Sequence, residues 1–311
     1  MLIWAAAGIA VKEALLLFTP LTLIVLRFSL AVLLMLLIGL VFRKSDIVGL
    51  QLVRKKDIPL FLLGGLFQPF LYFIFETYTY QSFASPTIAE AMLSMQPVLA
   101  PIFAFVLLRE QVTRNNIVGI LLSTIGVLVL LLVGSNNFAL GNPWGILLAF
   151  LTVSMSVSYS VVLRRIPNHY SPLSIVFYVQ FFSLVLFYVL WGGQYLFTPE
   201  LLNSSTPELI NSLTPELISS LTPKLLKPVL AVLYLAILAS VAAFILFCYT
   251  VRQIGVTRAN LFNNVRPIFT ALLMWLIFDE RLPVWKIVGI IIIIIGLFIS
   301  CITRTNTKPI Q

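Results

Sequence analysis

The sequence predicts an all-α integral membrane protein of ten transmembrane helices arranged as two inverted five-helix repeats, and three observations carry that prediction. Hydrophobic residues make up 60% and charged residues 10% of the 311, with a mean hydropathy of +1.06, outside the range of a water-soluble globular domain. Apolar stretches long enough to cross about 30 Å of hydrocarbon recur along the whole chain. One stretch also occurs twice. Residues 85–132 overlay 255–302 without a gap at a constant offset of 170, so that Pro97 meets Pro267, Glu110 meets Glu280, Gly119 meets Gly289 and Gly126 meets Gly296.

The expected spans fall at 2–18, 20–42, 58–81, 86–108, 115–134, 143–163, 172–197, 228–251, 257–278 and 283–303. Without water to satisfy backbone groups, such segments close their hydrogen bonds internally as helices. Placing the N-terminus inside puts Arg43, Lys44, Arg54, Lys55, Lys56, Arg109, Arg114, Arg164, Arg165, Arg252, Arg258, Arg304 and Lys308 on the cytoplasmic side. Lys224, Lys227, Arg281 and Lys286 then lie outside, so the positive-inside rule puts both termini in the cytoplasm. With five spans per half, the second half enters from the opposite face, which makes the repeats inverted. The first repeat is expected at 1–134 and the second at 143–303. Aligning Thr19-Pro20-Leu21-Thr22 with Ser171-Pro172-Leu173-Ser174 makes the first span about ten residues shorter than the sixth, and no cleaved signal peptide is recognisable. An external insertion at 198–227 repeats a Thr-Pro-Glu-Leu unit at Thr198, Thr206 and Thr214, with Thr222-Pro-Lys-Leu after them. This low-complexity segment reads as a spacer.

The formal net charge of +9 is spread in short basic runs between apolar spans, a topological footprint that argues against nucleic acid. Cys248 and Cys301 lie within spans and read as packing residues. The lone His169 sits in a loop, so no metal is expected, nor any cofactor. There is no Gly-x-Ser-x-Gly, His-Glu-x-x-His or phosphate-loop motif to support an enzyme.

Ionisable residues inside spans cost about 2.5–3.5 kcal/mol each at the bilayer centre and therefore mark pairs or wet cavities. Here they are Lys12, Glu13, Arg27, Glu76, Glu90 and Arg266. Helical phase puts Glu90, Ser94, Pro97 and Pro101 on one face of the fourth span, and Asn260, Asn264 and Pro267 on the equivalent face of the ninth, widened by Asn263. Gln68, Tyr72, Glu76 and Thr79 share a side of the third span. The substrate-cavity candidates are thus Gln68, Tyr72, Glu76, Glu90, Ser94, Asn260, Asn263, Asn264 and Arg266, with Glu76 and Glu90 as partners for Arg266. The same phase turns Gln96 and Arg266 about 100–120° away from the face, toward a neighbouring helix. Pro97 and Pro267 each remove a backbone donor and are the hinge candidates. Glu110 and Glu280, at equivalent span ends, are candidates for closing the two mouths. Gly119, Gly126, Gly289 and Gly296, seven apart, read as sites of close helix approach.

These features resemble the drug/metabolite transporter superfamily, in its ten-helix EamA-type branch. The resemblance rests on Trp4, Thr19-Pro20-Leu21-Thr22, Leu26-Arg27-Phe28, and the doubled pattern Pro97, Glu110, Gly119, Gly126 and Pro267, Glu280, Gly289, Gly296. It implies a secondary transporter of a small metabolite, an amino acid or similar solute, exported by alternating access through a cavity between the inverted repeats. The implied setting is the bacterial inner (plasma) membrane, with a small-molecule substrate and the lipid bilayer as partners and room for a homodimer. The resemblance also carries Pro97 and Pro267 over as bend positions. The alternative is a non-transporting sensor or assembly protein that uses the external repeat loop.

Overall fold

The structure, a computed structural model, describes residues 1–15, 17–42, 49–82, 92–93, 95–109, 112–132, 143–197, 226–278 and 284–302. All regular structure among them is helical. In chain order the helices are α1 (Leu2–Ala14), α2 (Pro20–Val41), α3 (Ile58–Gly65), α4 (Tyr72–Ser82), α5 (Gln96–Leu108) and α6 (Arg114–Leu132). They continue with α7 (Pro143–Arg165), α8 (Pro172–Phe197), α9 (Leu226–Ile254), α10 (Val256–Leu261), α11 (Arg266–Phe278) and α12 (Val284–Ile302). Five continuous helical stretches are long and apolar enough to cross a bilayer, among them α2, α7, α8 and α9. Large side chains such as Leu33, Val41, Phe105, Val189, Leu246 and Phe298 are exposed on the outer faces, as expected where the solvent is lipid.

Local sequence sets the helix starts. Thr19 caps α2 by accepting from the Thr22 backbone, and Pro20 takes the first position, where its missing N–H is no loss. At α6, the Thr113 hydroxyl accepts from the Asn116 backbone and Asn116 Oδ1 accepts from the Thr113 backbone, a reciprocal cap. Ser171 caps α8 ahead of Pro172.

Two long helical paths change pitch in the middle. The third span runs through α3, a π-helical turn at Leu66–Leu71 and α4, while α9 contains a π-helical stretch at Leu235–Ala242. Shifted by 170 residues, the first of these falls inside the second. The stretch expected as the ninth span is divided into α10 and α11 by a 3₁₀ turn, Phe262–Val265. Pro267 follows directly as the second residue of α11, and Pro97 is likewise the second residue of α5. Each proline therefore lies in the first turn of a helical segment.

The tightest pairing joins α6 and α12. A Cβ at Gly119 would stand 2.5 Å from the Gly296 carbonyl oxygen, and one at Gly126 would stand 2.9 Å from that of Gly289. The contact is reciprocal across the duplicated stretch, since 119 meets 296 where 126 meets 289. Asn116 Nδ2 adds hydrogen bonds to the Ser300 carbonyl (3.1 Å) and hydroxyl (2.9 Å). The main core lies among α2, the α3–α4 path, α7, α8 and α9, with Phe28, Phe61, Tyr159 and Phe244 fully buried.

Candidate functional site

The polar centre of the molecule forms where the helical paths lose regular pitch. Gln68 lies inside the π turn with extended angles (φ −148°, ψ 119°), because the residue before a proline is pushed out of the α region and Pro69 has no N–H to continue the ladder. Its buried side chain turns to α7, where Gln68 Oε1 accepts from the Ser156 hydroxyl at 3.4 Å. Gln96, at the start of α5, donates through Nε2 to Ser156 Oγ (2.7 Å) and to Asn260 Oδ1 (2.6 Å). Asn260 Oδ1 also lies 3.5 Å from Ser160 Oγ and from Asn263 Nδ2, and its own Nδ2 donates to the Val256 carbonyl. One amide thus joins the first copy of the duplicated stretch to the second by its bond to Asn260, and to α7 by its bond to Ser156. Ser156, Ser160 and Asn260 are buried, while Gln96 and Asn263 are half-buried.

A second polar group lies beside it. Tyr72 donates to Glu76 Oε1 at 2.7 Å on α4. Arg27, buried on α2, donates through Nε to Ser240 Oγ (2.6 Å) within the π stretch of α9. Its guanidinium carbon is 4.8 Å from the Phe73 ring centroid and 5.3 Å from that of Phe28, within cation–π reach of both. Glu76, Tyr72 and Arg266 are close enough to influence its charge. Gln180 of α8 donates to the Ser240 carbonyl at 2.6 Å, so Ser240 holds two helices at once.

The structure distributes the sequence candidates unevenly. Gln68, Asn260 and Asn263 enter the first group; Tyr72, Glu76 and Arg266 gather near Arg27. Asn264 is directed elsewhere, donating to Ser123 on α6 at 2.8 Å. The 3₁₀ turn explains this, because at three residues per turn Asn263 and not Asn264 stacks over Asn260. The shared side of the third span is also divided: Thr79 faces Thr152 of α7 at 3.4 Å, as Gln68 faces Ser156, while the Tyr72–Glu76 pair is within electrostatic range of α2. Glu90, Ser94, Glu110 and Glu280 lie outside the described residues, as do the Thr-Pro-Glu-Leu repeats and the Pro267 side chain.

Sequence phase turns Gln96 toward a neighbouring helix, and there it bonds to both α7 and α10 as the hub of the network. Ser156 and Ser160 were not singled out, although Thr152, Ser156 and Ser160 recur every fourth residue on one side of α7. Among the described residues no group of His, Cys, Asp and Glu has the makings of a metal site, and the His169 ring lies tilted against that of Tyr170, 4.0 Å between centroids. The groove between α5 and α6, lined by Val98, Ile102, Phe105, Ile117 and Leu121, is wholly apolar and separate from the polar centre.

A model of the EamA-like transporter family matches residues 1–132 and 143–302. The chain is 25% identical over 300 residues to the uncharacterized transporter YyaM of Bacillus subtilis (strain 168), covering 94% of this chain and 88% of that protein. It is 25% identical over 282 residues to the uncharacterized transporter YetK of the same organism, covering 90% and 77%. An uncharacterized transporter of Archaeoglobus fulgidus is 21% identical over 296 residues, covering 95% and 94%. A solved structure described as "Crystal structure of protein" superposes with a TM-score of 0.72 at 21% identity, over 97% of this chain and 95% of that one, and shares the fold. This all-α, multi-pass membrane protein belongs to the EamA-like transporter family.

Proposed function

We propose that the protein is a secondary transporter that exports a small metabolite, an amino acid or similar solute, by alternating access between two inverted five-helix repeats, 1–134 and 143–303. The observation that carries this reading is the Gln96 amide, which bridges Ser156 and Asn260 by hydrogen bonds of 2.7 and 2.6 Å. It joins helices from both halves of the chain through neutral groups that can exchange one partner for a solute at low energetic cost. In this reading Gln68, Asn260 and Asn263 contact the solute, Tyr72, Glu76 and Arg266 supply the charged wall, and the helix starts at Pro97 and Pro267 are where the halves rock. Glu90 and Ser94 extend the cavity, and Glu110 and Glu280 close its two mouths. Asn264, bound to Ser123, belongs to the scaffold between α11 and α6. Both termini face the cytoplasm of a bacterial inner membrane, and the exposed apolar helices leave room for a homodimer.

The test is flux in liposomes. Purified protein reconstituted with a preloaded panel of radiolabelled amino acids and small polar metabolites is expected to exchange at least one of them. Gln96→Ala and Asn260→Ala are expected to lower that exchange about tenfold or more, the equivalent of one lost hydrogen bond at roughly 1.4 kcal/mol, while eluting as folded protein. Exchange no faster than in empty liposomes across the whole panel would refute the reading, and unchanged flux in both variants would displace the site.

A further inference from the structure

Arg27 is 5% exposed and lies within an apolar helix, where a guanidinium costs about 2.5–3.5 kcal/mol unless it is compensated. Its only hydrogen bond among the described residues runs from Nε to the neutral Ser240 hydroxyl. That bond uses the inner donor and leaves the two terminal amino groups, the fork that grips a planar oxyanion, to meet something else. The fork is held in place. Phe73 and Phe28 lie against the guanidinium, Phe28 in turn stacks on Phe187 of α8 at 5.8 Å, and Ser240 is fixed through its carbonyl by Gln180. Of the ionised groups whose field reaches Arg27, Glu76 is a carboxylate and Arg266 a second guanidinium. The same neighbourhood holds further polar capacity: Gln180 Oε1 and Ser183 Oγ, one turn apart on α8, are fully buried with no hydrogen-bond partner among the described residues.

We propose that Arg27 is an anion subsite of the transport cavity, taking a carboxylate or phosphate of the solute in a bidentate grip through its terminal amino groups while Ser240 positions the guanidinium. The inference rests on the transport reading and narrows it to solutes that carry an oxyanion. A structural arginine would be expected to spend its fork on a protein carboxylate, since a buried charge with one neutral partner is poorly compensated. Here the planar fork and the aromatic walls favour an exchangeable anionic partner.

The experiment measures thermal stabilisation of the full-length protein in detergent by matched solutes on one carbon skeleton: a carboxylate, its neutral amide, and the corresponding phosphate monoester and alcohol. The carboxylate or the phosphate is expected to raise the melting temperature and its neutral counterpart to leave it unchanged; the stronger of the two identifies the head group. Arg27→Gln is expected to abolish the shift. Arg27→Lys keeps the charge but not the fork, so it tests the idea even where Arg27→Gln does not fold, and it is expected to weaken binding at least tenfold. Ser240→Ala is expected to weaken it several-fold. Equal stabilisation of wild type and Arg27→Lys by the oxyanion would overturn the proposal. So would protection by neutral or cationic solutes alone, and in that case liposome exchange of those same solutes would leave the transport reading standing. Absence of both stabilisation and exchange for every class would overturn the two together.

Discussion

Replacing Gly119 by alanine adds one methyl group at the closest approach of α6 and α12, and the structure sets the size of the effect. The new Cβ would lie 2.5 Å from the Gly296 carbonyl oxygen, 2.6 Å from Ser300 Cβ and 2.8 Å from Ser300 N. The first and third of these are backbone atoms that cannot rotate aside, so recovering ordinary contact requires the helices to part by roughly 1 Å. Overpacking of this kind costs about 1–3 kcal/mol. Separation also stretches the Asn116 bonds to Ser300, now 3.1 and 2.9 Å, each worth about 0.6 kcal/mol between membrane helices. Against this, alanine gains about 1 kcal/mol of helix propensity over glycine. The net loss is about 1–3 kcal/mol. Gly8 in α1 provides the control, because a Cβ there meets nothing within 4 Å and only the propensity gain remains. In detergent melts followed by intrinsic fluorescence, Gly119→Ala is expected to lower the apparent melting temperature by about 2–5 °C, and Gly8→Ala to leave it unchanged or raise it. Equal melting of the two variants would refute the claim that a backbone-to-backbone contact holds α6 on α12.

Three further outcomes follow from local geometry. Gly255, between α9 and α10, has φ 84° and ψ 170°, a region essentially reserved for glycine, so Gly255→Ala is expected to destabilise by about 1–3 kcal/mol in the same melts. Asn264→Leu is expected to leave stability nearly unchanged while Asn260→Leu abolishes exchange: Asn264 Oδ1 is already buried without a partner among the described residues, and Ser123 keeps its bond to the Ile120 carbonyl. Tyr170→Phe removes a hydroxyl that donates to Asp57 Oδ2 (2.8 Å) and accepts from the Arg54 backbone (3.0 Å), at a cost of about 1–3 kcal/mol. Burial pushes the Tyr170 hydroxyl above its ordinary value. The wild-type margin over Tyr170→Phe is therefore expected to be full below about pH 10, the unfolded value, and to shrink as pH rises through the higher folded value. Melts from pH 7 to 11 that showed a constant margin would count against this linkage.

Three elements that the structure joins in one place differ in how far sequence reveals them. Arg27 is conspicuous in the sequence as a charge inside an apolar span, and its cost there is a local quantity. Nothing around position 240 marks Ser240 as its partner, because the pairing depends on how α2 and α9, more than two hundred residues apart in the chain, pack against each other. Gln180 is equally mute until its amide is seen against the Ser240 carbonyl.

The sequence by itself determined the helical class, the membrane setting and the duplication at an offset of 170 residues. These depend on hydrophobic length, on cap residues and on repeated spacing, all of which act within a few turns of chain. Even the glycines of α6 and α12 were legible as points of close approach, since they recur at one spacing in both copies. Which polar side chains meet was decided only by the tertiary structure. Regular helical phase carries a side chain's direction along the chain only while the pitch holds, and here it fails at Gln68 and across Phe262–Val265. Each interruption re-aims the residues that follow, which is why Asn263 replaced Asn264, while the meeting of Gln96 with Ser156 depends on how α5 packs against α7.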